Sequence, residues 1–315
     1  MLSHPLAVAT VLAVLPGVSG CGGDTEAQPP AWPDAAAYEA ELDTWRQGRI
    51  TSVAGADGWT TLAGLHWLDR ARHSVGSDSG NTIVLPPRAP RRLGILERSA
   101  GGVRFEAAPG ARVASNGVPV DTLLLATDAE GAKPTILEVG SLTLRVIDRS
   151  GKLALRVKDS LHAARAQFKG LEYFPVDTSW RVHARLVPHN GPRTIQVIDV
   201  LGQVQSYQSP GALEFRHGGR SYRLDAVIEQ GVKDLFVMFR DPTSTEDTYP
   251  AGRYLYVAVP DSSGYTVLDF NRAYNPPCAF TELATCPLPP RQNLLPIPVR
   301  AGELRYYAPR KKAKA

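Results

Sequence analysis

Apolar positions along the chain repeat at two spacings, and the change between them falls near Trp59. Before it, Tyr38, Leu42 and Trp45 stand at i, i+4 and i+7, which puts them on one face of an α-helix. Asp34 is placed to cap that helix and Gly48 to close it, so one short amphipathic helix is expected over residues 34–48. After Trp59 the period drops to that of strands. Short β-rich runs at 82–85, 103–107, 122–125, 135–139, 142–147 and 153–157 are separated by turn residues, among them Gly101-Gly102, Asn116-Gly117 and Ser150-Gly151. Strands at that spacing with such turns predict an antiparallel β-sandwich.

A connector at 160–178 leads to a second β-rich region. Its runs lie at 180–187, 194–200, 204–207, 212–216, 222–228, 235–240, 253–259, 267–270, 294–299 and 304–307. These make a second sandwich or a closed barrel, and the pattern does not choose between them. The expected fold is therefore all-β: an N-terminal sandwich, a second antiparallel sandwich or barrel, and one short N-terminal helix. The expected divisions are a signal peptide at 1–20, a tether at 21–33, the helix plus sandwich at 34–159, a C-terminal β domain at 160–308 and a basic tail at 309–315.

The first residues carry no Lys or Arg, and the apolar run 6–15 suits a signal-peptide core better than a membrane span. Ser19-Gly20-Cys21 resembles a bacterial lipoprotein box, which implies acylation of Cys21 and attachment to a lipid bilayer. Gly22 after the cysteine resembles diderm lipoproteins sorted to the outer membrane. The Pro-rich stretch that follows reads as a tether. A cell-envelope, lipid-anchored location is expected. The formal charge of +4 is mild and is raised by the basic tail, and no basic stripe carries interleaved aromatics, so nucleic acid is not an expected partner.

Candidate chemistry concentrates in residues 269–293, DFNRAYNPPCAFTELATCPLPPRQN, which holds two of the three cysteines and five prolines. Asp269 and Asn271 flank Phe270, so on a strand both face one way. Arg253 stands on a preceding strand, where pairing with Asp269 would make a buried ion pair or a ligand clamp. Asn275 precedes Pro276-Pro277 and is held extended. Tyr249, Tyr254, Tyr256 and Tyr274 offer aromatic walls for a cavity. Cys278 and Cys286 are disulfide candidates in an oxidising compartment, with a Cys278 thiolate as the alternative. His66, inside the apolar segment 61–68, reads as structural. A metal site has no local support, because no histidine follows His217, and no motif implies a cofactor.

Two resemblances add to this reading. Residues 74–86, SVGSDSGNTIVLP, resemble the opening of a forkhead-associated domain, which implies a sandwich fold. Ser77 stands where that family has arginine, and its downstream S-R-x-H segment is missing, so phosphothreonine binding is not implied. The segments DFNRAYNPPCAF and CPLPPRQN, with LAGLHWL and YFPV upstream, resemble the bacterial domain-of-unknown-function family 1684, in a lipoprotein-type member. That resemblance implies no activity.

The residues support an extracytoplasmic module that binds a small or envelope-derived ligand in its C-terminal β domain. Arg253, Asp269, Asn271, Tyr274, Asn275 and Glu303 are the ligand-binding candidates, with no metal and no cofactor. The alternative is a hydrolase using a carboxylate or the Cys278 thiolate, with Arg253 stabilising an anion.

Overall fold

The computed structural model describes residues 31–307. The signal peptide, Cys21, most of the tether and the basic tail lie outside the described residues. Among the described residues, no helix is long and apolar enough to cross a membrane.

Helix α1 (Ala35–Ala54) starts where Asp34 accepts the Ala37 amide, and it runs through Gly48 instead of stopping there. The reason is the buried stripe. Tyr38 and Leu42 are followed on the same face by Arg49 and Val53, so the helix has two further turns to bury. Gly48 is exposed and a Cβ built there would meet nothing within 4 Å, so it costs a little helix propensity and breaks nothing.

Eleven strands form the first unit: β1 (Leu62–Trp67), β2 (Arg72–Gly76), β3 (Ile83–Val84), β4 (Gly94–Ser99), β5 (Gly102–Ala107), β6 (Ala114–Ser115), β7 (Val118–Pro119), β8 (Thr122–Leu125), β9 (Leu137–Val139), β10 (Leu142–Arg149) and β11 (Lys152–Asp159). They build two sheets, in the orders β1-β11-β10-β9-β6-β7 and β3-β2-β4-β5-β8. Alternate residues of both sheets point inward, and Val75, Leu96 and Phe105 of one meet Leu142, Leu144 and Leu155 of the other in a single core. β2 and β3 pair in parallel and the other strands antiparallel.

The second unit is one bent sheet with the order β16-β15-β14-β13-β12-β17. Its strands are β12 (Arg181–Ile198), β13 (Val204–His217), β14 (Arg220–Ile228), β15 (Leu235–Phe239), β16 (Arg253–Val257) and β17 (Tyr265–Asp269). The runs expected at 180–187 and 194–200 are one strand, broken only by a register shift between Pro188 and Arg193. Pro188 lacks a donor and Gly191 has a φ of 96°, so this is where a ladder tolerates an irregularity. The two halves of β12 then serve different cores: Val182 and Ala184 join one, Ile195 and Val197 the other. The runs at 294–299 and 304–307 are not strands. Their alternation reflects one-sided packing of irregular chain against the sheet, with single bridges at Leu294 and Glu303.

That irregular chain, residues 270–301, covers the open side of the bent sheet. Phe270 is its centre, with ring centroids 5.6 Å from Trp180, 5.5 Å from Phe215 and 5.4 Å from Phe239. Helix α1 docks on this unit through the Tyr38 hydroxyl, which donates to Asp269, and on the connector through its last carbonyl, which accepts from Arg165.

The two units also touch at a pair of loop glycines. A Cβ on Gly131 (φ 73°) would lie 2.6 Å from the Gly231 nitrogen, whereas one on Gly140 (φ 59°) would meet nothing. Both positions favour glycine for backbone reasons. Gly131→Ala is therefore expected to cost about 1 kcal/mol more than Gly140→Ala in chemical denaturation, the excess reporting the contact between units. Equal losses would show that this contact bears no load.

Candidate functional site

A cavity of about 1240 Å³ lies where α1, the sandwich and the bent sheet meet. Helix α1 supplies Trp45, Arg49 and Ser52 to its wall. The sandwich supplies Trp59, the loop around Asp128, the β10–β11 turn and Arg156. The second unit supplies Tyr207, Glu229, Phe236, Tyr254, Tyr256, Tyr274, Asn275 and the segment from Ala284 to Pro287. A cavity of this size, with aromatic walls and a few placed polar groups, suits a small organic ligand.

The aromatic wall follows from strand alternation and ring packing. Tyr254 and Tyr274 exchange backbone hydrogen bonds at 2.9 Å each way, and their rings meet edge to face at 5.8 Å. Tyr256 stacks on Tyr274 at 6.1 Å, and its hydroxyl donates to Glu229. The Tyr254 hydroxyl donates to the Pro287 carbonyl at 2.6 Å. Burial is the main cause that pushes Tyr254, Tyr256 and Tyr274 above the ordinary phenol range, and it takes Tyr207 up to about 12. All four are neutral hydroxyls at physiological pH.

One buried network sets the Tyr274–Asn275 wall. Glu303, fully buried, accepts from Arg49 Nε at 2.7 Å, from the Asn275 amide at 2.8 Å and from Asn275 Nδ2 at 3.0 Å. The Arg49 guanidinium lies 4.3 Å from the Tyr274 ring centroid. Asn275 Oδ1 is buried without a hydrogen-bond partner among the described residues.

On the sandwich side, Arg149 pairs with Asp128 at 3.0 Å and donates to the Thr285 hydroxyl at 3.2 Å across the units. Arg156 is only 3 % exposed, makes no ion pair or hydrogen bond among the described residues, and leaves its Nε unpartnered. Burial, then the like charges of Arg149 and Arg145, push its guanidinium well below the ordinary range.

The residues singled out from the sequence fall in different places. Tyr274 and Asn275 line the cavity, as do Tyr254 and Tyr256. Glu303 stands behind them and holds Asn275 and Arg49. Arg253 does not meet Asp269. It lies opposite Phe239, because β16 pairs with β15, and β17 pairs instead with β12, which sets Arg181 opposite Asp269. Arg253 is fully buried. It donates to Asp241 at 3.1 Å, to the Val299 carbonyl at 2.8 Å and to the Ala301 carbonyl. Its guanidinium is consumed inside the protein and does not reach a ligand, which removes it as an anion stabiliser for hydrolysis. Asp269 caps the turn 270–272, accepts from Tyr38 and Asn271, and has Arg272 at 3.5 Å. Asn271 lies in that turn rather than on the strand, and it bonds the Asp177 backbone reciprocally at 2.9 and 3.1 Å. Asp269 and Asn271 therefore fasten the connector and helix to the sheet.

Cys278 and Cys286 are neighbours and are free cysteines in the structure, the Cys278 amide donating to Cys286 Sγ at 3.0 Å. The contact with Cys286 pulls the Cys278 thiol down, while burial pushes Cys286 up. Alkylation under denaturing conditions followed by mass measurement is expected to label both in protein kept reduced. It should label neither after exposure to an oxidising environment. Labelling of both after oxidation would refute a bond between them. His66 is half-buried, and burial lowers its pKa, which keeps it neutral. Among the described residues, no group of three or more His, Cys, Asp or Glu is gathered to hold a metal ion.

Arg49, Arg149, Arg156, Trp45, Trp59 and Glu229 were not legible as site residues. The one signal was Arg156 and Lys158 alternating with Leu155 and Val157, which reads equally as a solvated strand face.

The family described as "Protein of unknown function (DUF1684)" matches residues 166–304. An NMR structure of an uncharacterised protein from gene locus rrnAC0354 of Haloarcula marismortui is 37% identical, with a TM-score of 0.37. The match covers 44% of this chain and 78% of that one. The FHA-2 domain of the Mycobacterium tuberculosis ABC transporter Rv1747 is 24% identical, with a TM-score of 0.22, over 28% of this chain and 77% of that domain. No curated protein matches the chain.

Proposed function

The chain belongs to the DUF1684 family, and since that membership brings no activity, we infer a function from the cavity: non-enzymatic binding of a small organic ligand. The observation that carries this is the cavity of about 1240 Å³ walled by Trp45, Trp59, Tyr254, Tyr256 and Tyr274. Its wall is held by backbone pairing and the buried Glu303 network, so little order has to be gained on binding. The site draws on both units and α1 rather than on the C-terminal unit alone.

Binding is tested by native mass spectrometry and thermal shift against a small-molecule panel. Ser206 is exposed on the cavity wall, so Ser206→Trp places an indole there without disturbing a buried partner. It is expected to abolish binding at unchanged thermal stability. Undiminished binding in that variant would move the site elsewhere.

The expected anchor at Cys21 belongs to the same proposal: a cell-envelope protein held on a lipid bilayer, offering its cavity to an envelope-derived ligand. Cys21→Ala is expected to shift the protein from the membrane fraction to the soluble fraction. Equal membrane association of the variant would refute acylation there.

A further inference from the structure

Arginines on the outer face of the sandwich pose an electrostatic problem that the described residues solve only in part. Arg145 and Arg156 are direct cross-strand partners on β10 and β11. Side chains so paired emerge on the same face, about 5 Å apart at Cβ, where like charges repel. Arg149 is four residues along β10 on that same face. Arg149 has Asp128, but among the described residues neither Arg145 nor Arg156 has a carboxylate within ion-pair distance, and the Nε of each is buried without a hydrogen-bond partner. The ring of Trp59, 5.7 Å from the Arg156 guanidinium carbon, offers the cation a π-face and no hydrogen-bond acceptor.

A buried guanidinium without a counter-charge is costly, and native proteins pair buried charges or give them a ligand. Arg156 is on the cavity wall, next to Arg149 and the Thr285 hydroxyl that Arg149 holds. Resting on the cavity's ligand-binding role, we propose that this corner is an anion subsite. It receives a carboxylate or phosphate group of the ligand, while the ligand's uncharged body lies against Tyr254, Tyr256 and Tyr274. A planar guanidinium with free N–H groups matches either oxyanion in a two-pronged geometry. The hydroxyls facing it are neutral and burial keeps Cys286 protonated; of the described carboxylates on the wall, Asp128 pairs with Arg149, Asp148 accepts from the Gly151 amide and Glu229 accepts from Tyr256.

The test uses the whole chain at constant ionic strength, with calorimetric titration of inorganic phosphate, phenyl phosphate, phenylacetate and the neutral benzyl alcohol. Wild-type protein is expected to bind the aromatic anions more tightly than benzyl alcohol. The ranking of phenyl phosphate against phenylacetate tells which oxyanion the corner is shaped for. Arg156→Met removes the charge and keeps much of the volume. It should weaken the anions at least about ten-fold, as expected for losing hydrogen bonds to a charged group, and leave benzyl alcohol unchanged. Its melting temperature should stay level or rise, because an unpaired buried charge is gone. A purely structural arginine would do the reverse, lowering the melting temperature and leaving the anions as they were, and that result overturns the proposal. Arg145→Gln, at a half-buried position, is expected to weaken the anions in the same sense and decides the matter if Arg156→Met does not fold. Benzyl alcohol bound as tightly as the anions rejects the subsite and leaves the cavity reading standing. No binding of any probe rejects the subsite, and if no panel compound is sensitive to Ser206→Trp, the cavity reading falls with it.

Discussion

Asp241→Ala is expected to cost the protein about 4–5 kcal/mol, enough to remove most of the stability of an ordinary domain. The side chain has three structural tasks at once. It caps the turn Pro242–Thr245, with Thr243 N and the Thr243 hydroxyl donating to it. It accepts from the Val299 amide at 2.7 Å, which fastens the irregular cover segment. It neutralises Arg253, whose side chain is wholly buried. Alanine leaves that guanidinium charged and enclosed with only the Thr243 hydroxyl and the carbonyls of Val299 and Ala301 as acceptors. Asp241→Asn keeps an acceptor for the cap and loses the charge, so it should retain part of the stability. Arg253→Met alone should cost less than Asp241→Ala, because the remaining carboxylate keeps the cap and the Val299 bond. Urea or guanidinium denaturation of the three variants checks the order. A loss under about 1 kcal/mol for Asp241→Ala would place the pair among weak contacts and overturn this account.

Glu303→Ala is expected to be nearly as severe, about 3–5 kcal/mol, by the same electrostatic logic. Here the consequence extends to the cavity. Glu303 holds Arg49 of α1 and both nitrogen donors of Asn275, so its removal cuts one of the helix's ties to the second unit, leaving that of Tyr38 to Asp269, and loosens the Tyr274–Asn275 wall. Ligand affinity should fall together with stability. The Arg49→Met, Glu303→Met double variant removes both charges and should recover much of the stability lost in Glu303→Ala. The strength of the coupling is read from a double-mutant cycle. Additive losses in that cycle would mean that the ion pair contributes nothing beyond its separate side chains.

Legibility from sequence depended on the range of the interaction concerned. The strand content, the turns at Asn116-Gly117 and Ser150-Gly151 and the start of α1 at Asp34 are local matters of alternation and backbone preference, and they read correctly. The end of α1 did not, because Gly48 signals a stop on propensity alone. The reason to continue, burial of Arg49 and Val53, depends on partners as distant in sequence as Glu303. The dense segment 269–293 was legible as unusual, and its residues divide in space. Phe270 and Ala273 plug the bent sheet. Tyr274, Asn275, Ala284 and Cys286 face the cavity. Proline spacing records that such a segment is stiff, and says nothing about which side of it is wet.

Pairing order explains the largest difference. Arg253 and Asp269 end neighbouring strands in sequence, which made them look like partners. The sheet instead closes β17 onto β12, so each charge finds its mate elsewhere: Arg253 with Asp241, and Asp269 with Tyr38, Asn271 and Arg272. By itself the sequence determined the all-β class, the helix start, the family signature and the tyrosines Tyr254, Tyr256 and Tyr274 of the cavity wall, because these depend on residues close in the chain and on composition. It did not mark Trp45 and Trp59 as wall residues, and Tyr249 lies off that wall. Tertiary structure alone decided that the signature segment is half plug and half wall, that Arg253 is enclosed, and that Arg156 faces a cavity with no described carboxylate in ion-pair distance. Those facts follow from which strands pair and how the two units meet, and electrostatic partners at long sequence separation leave no periodicity to read.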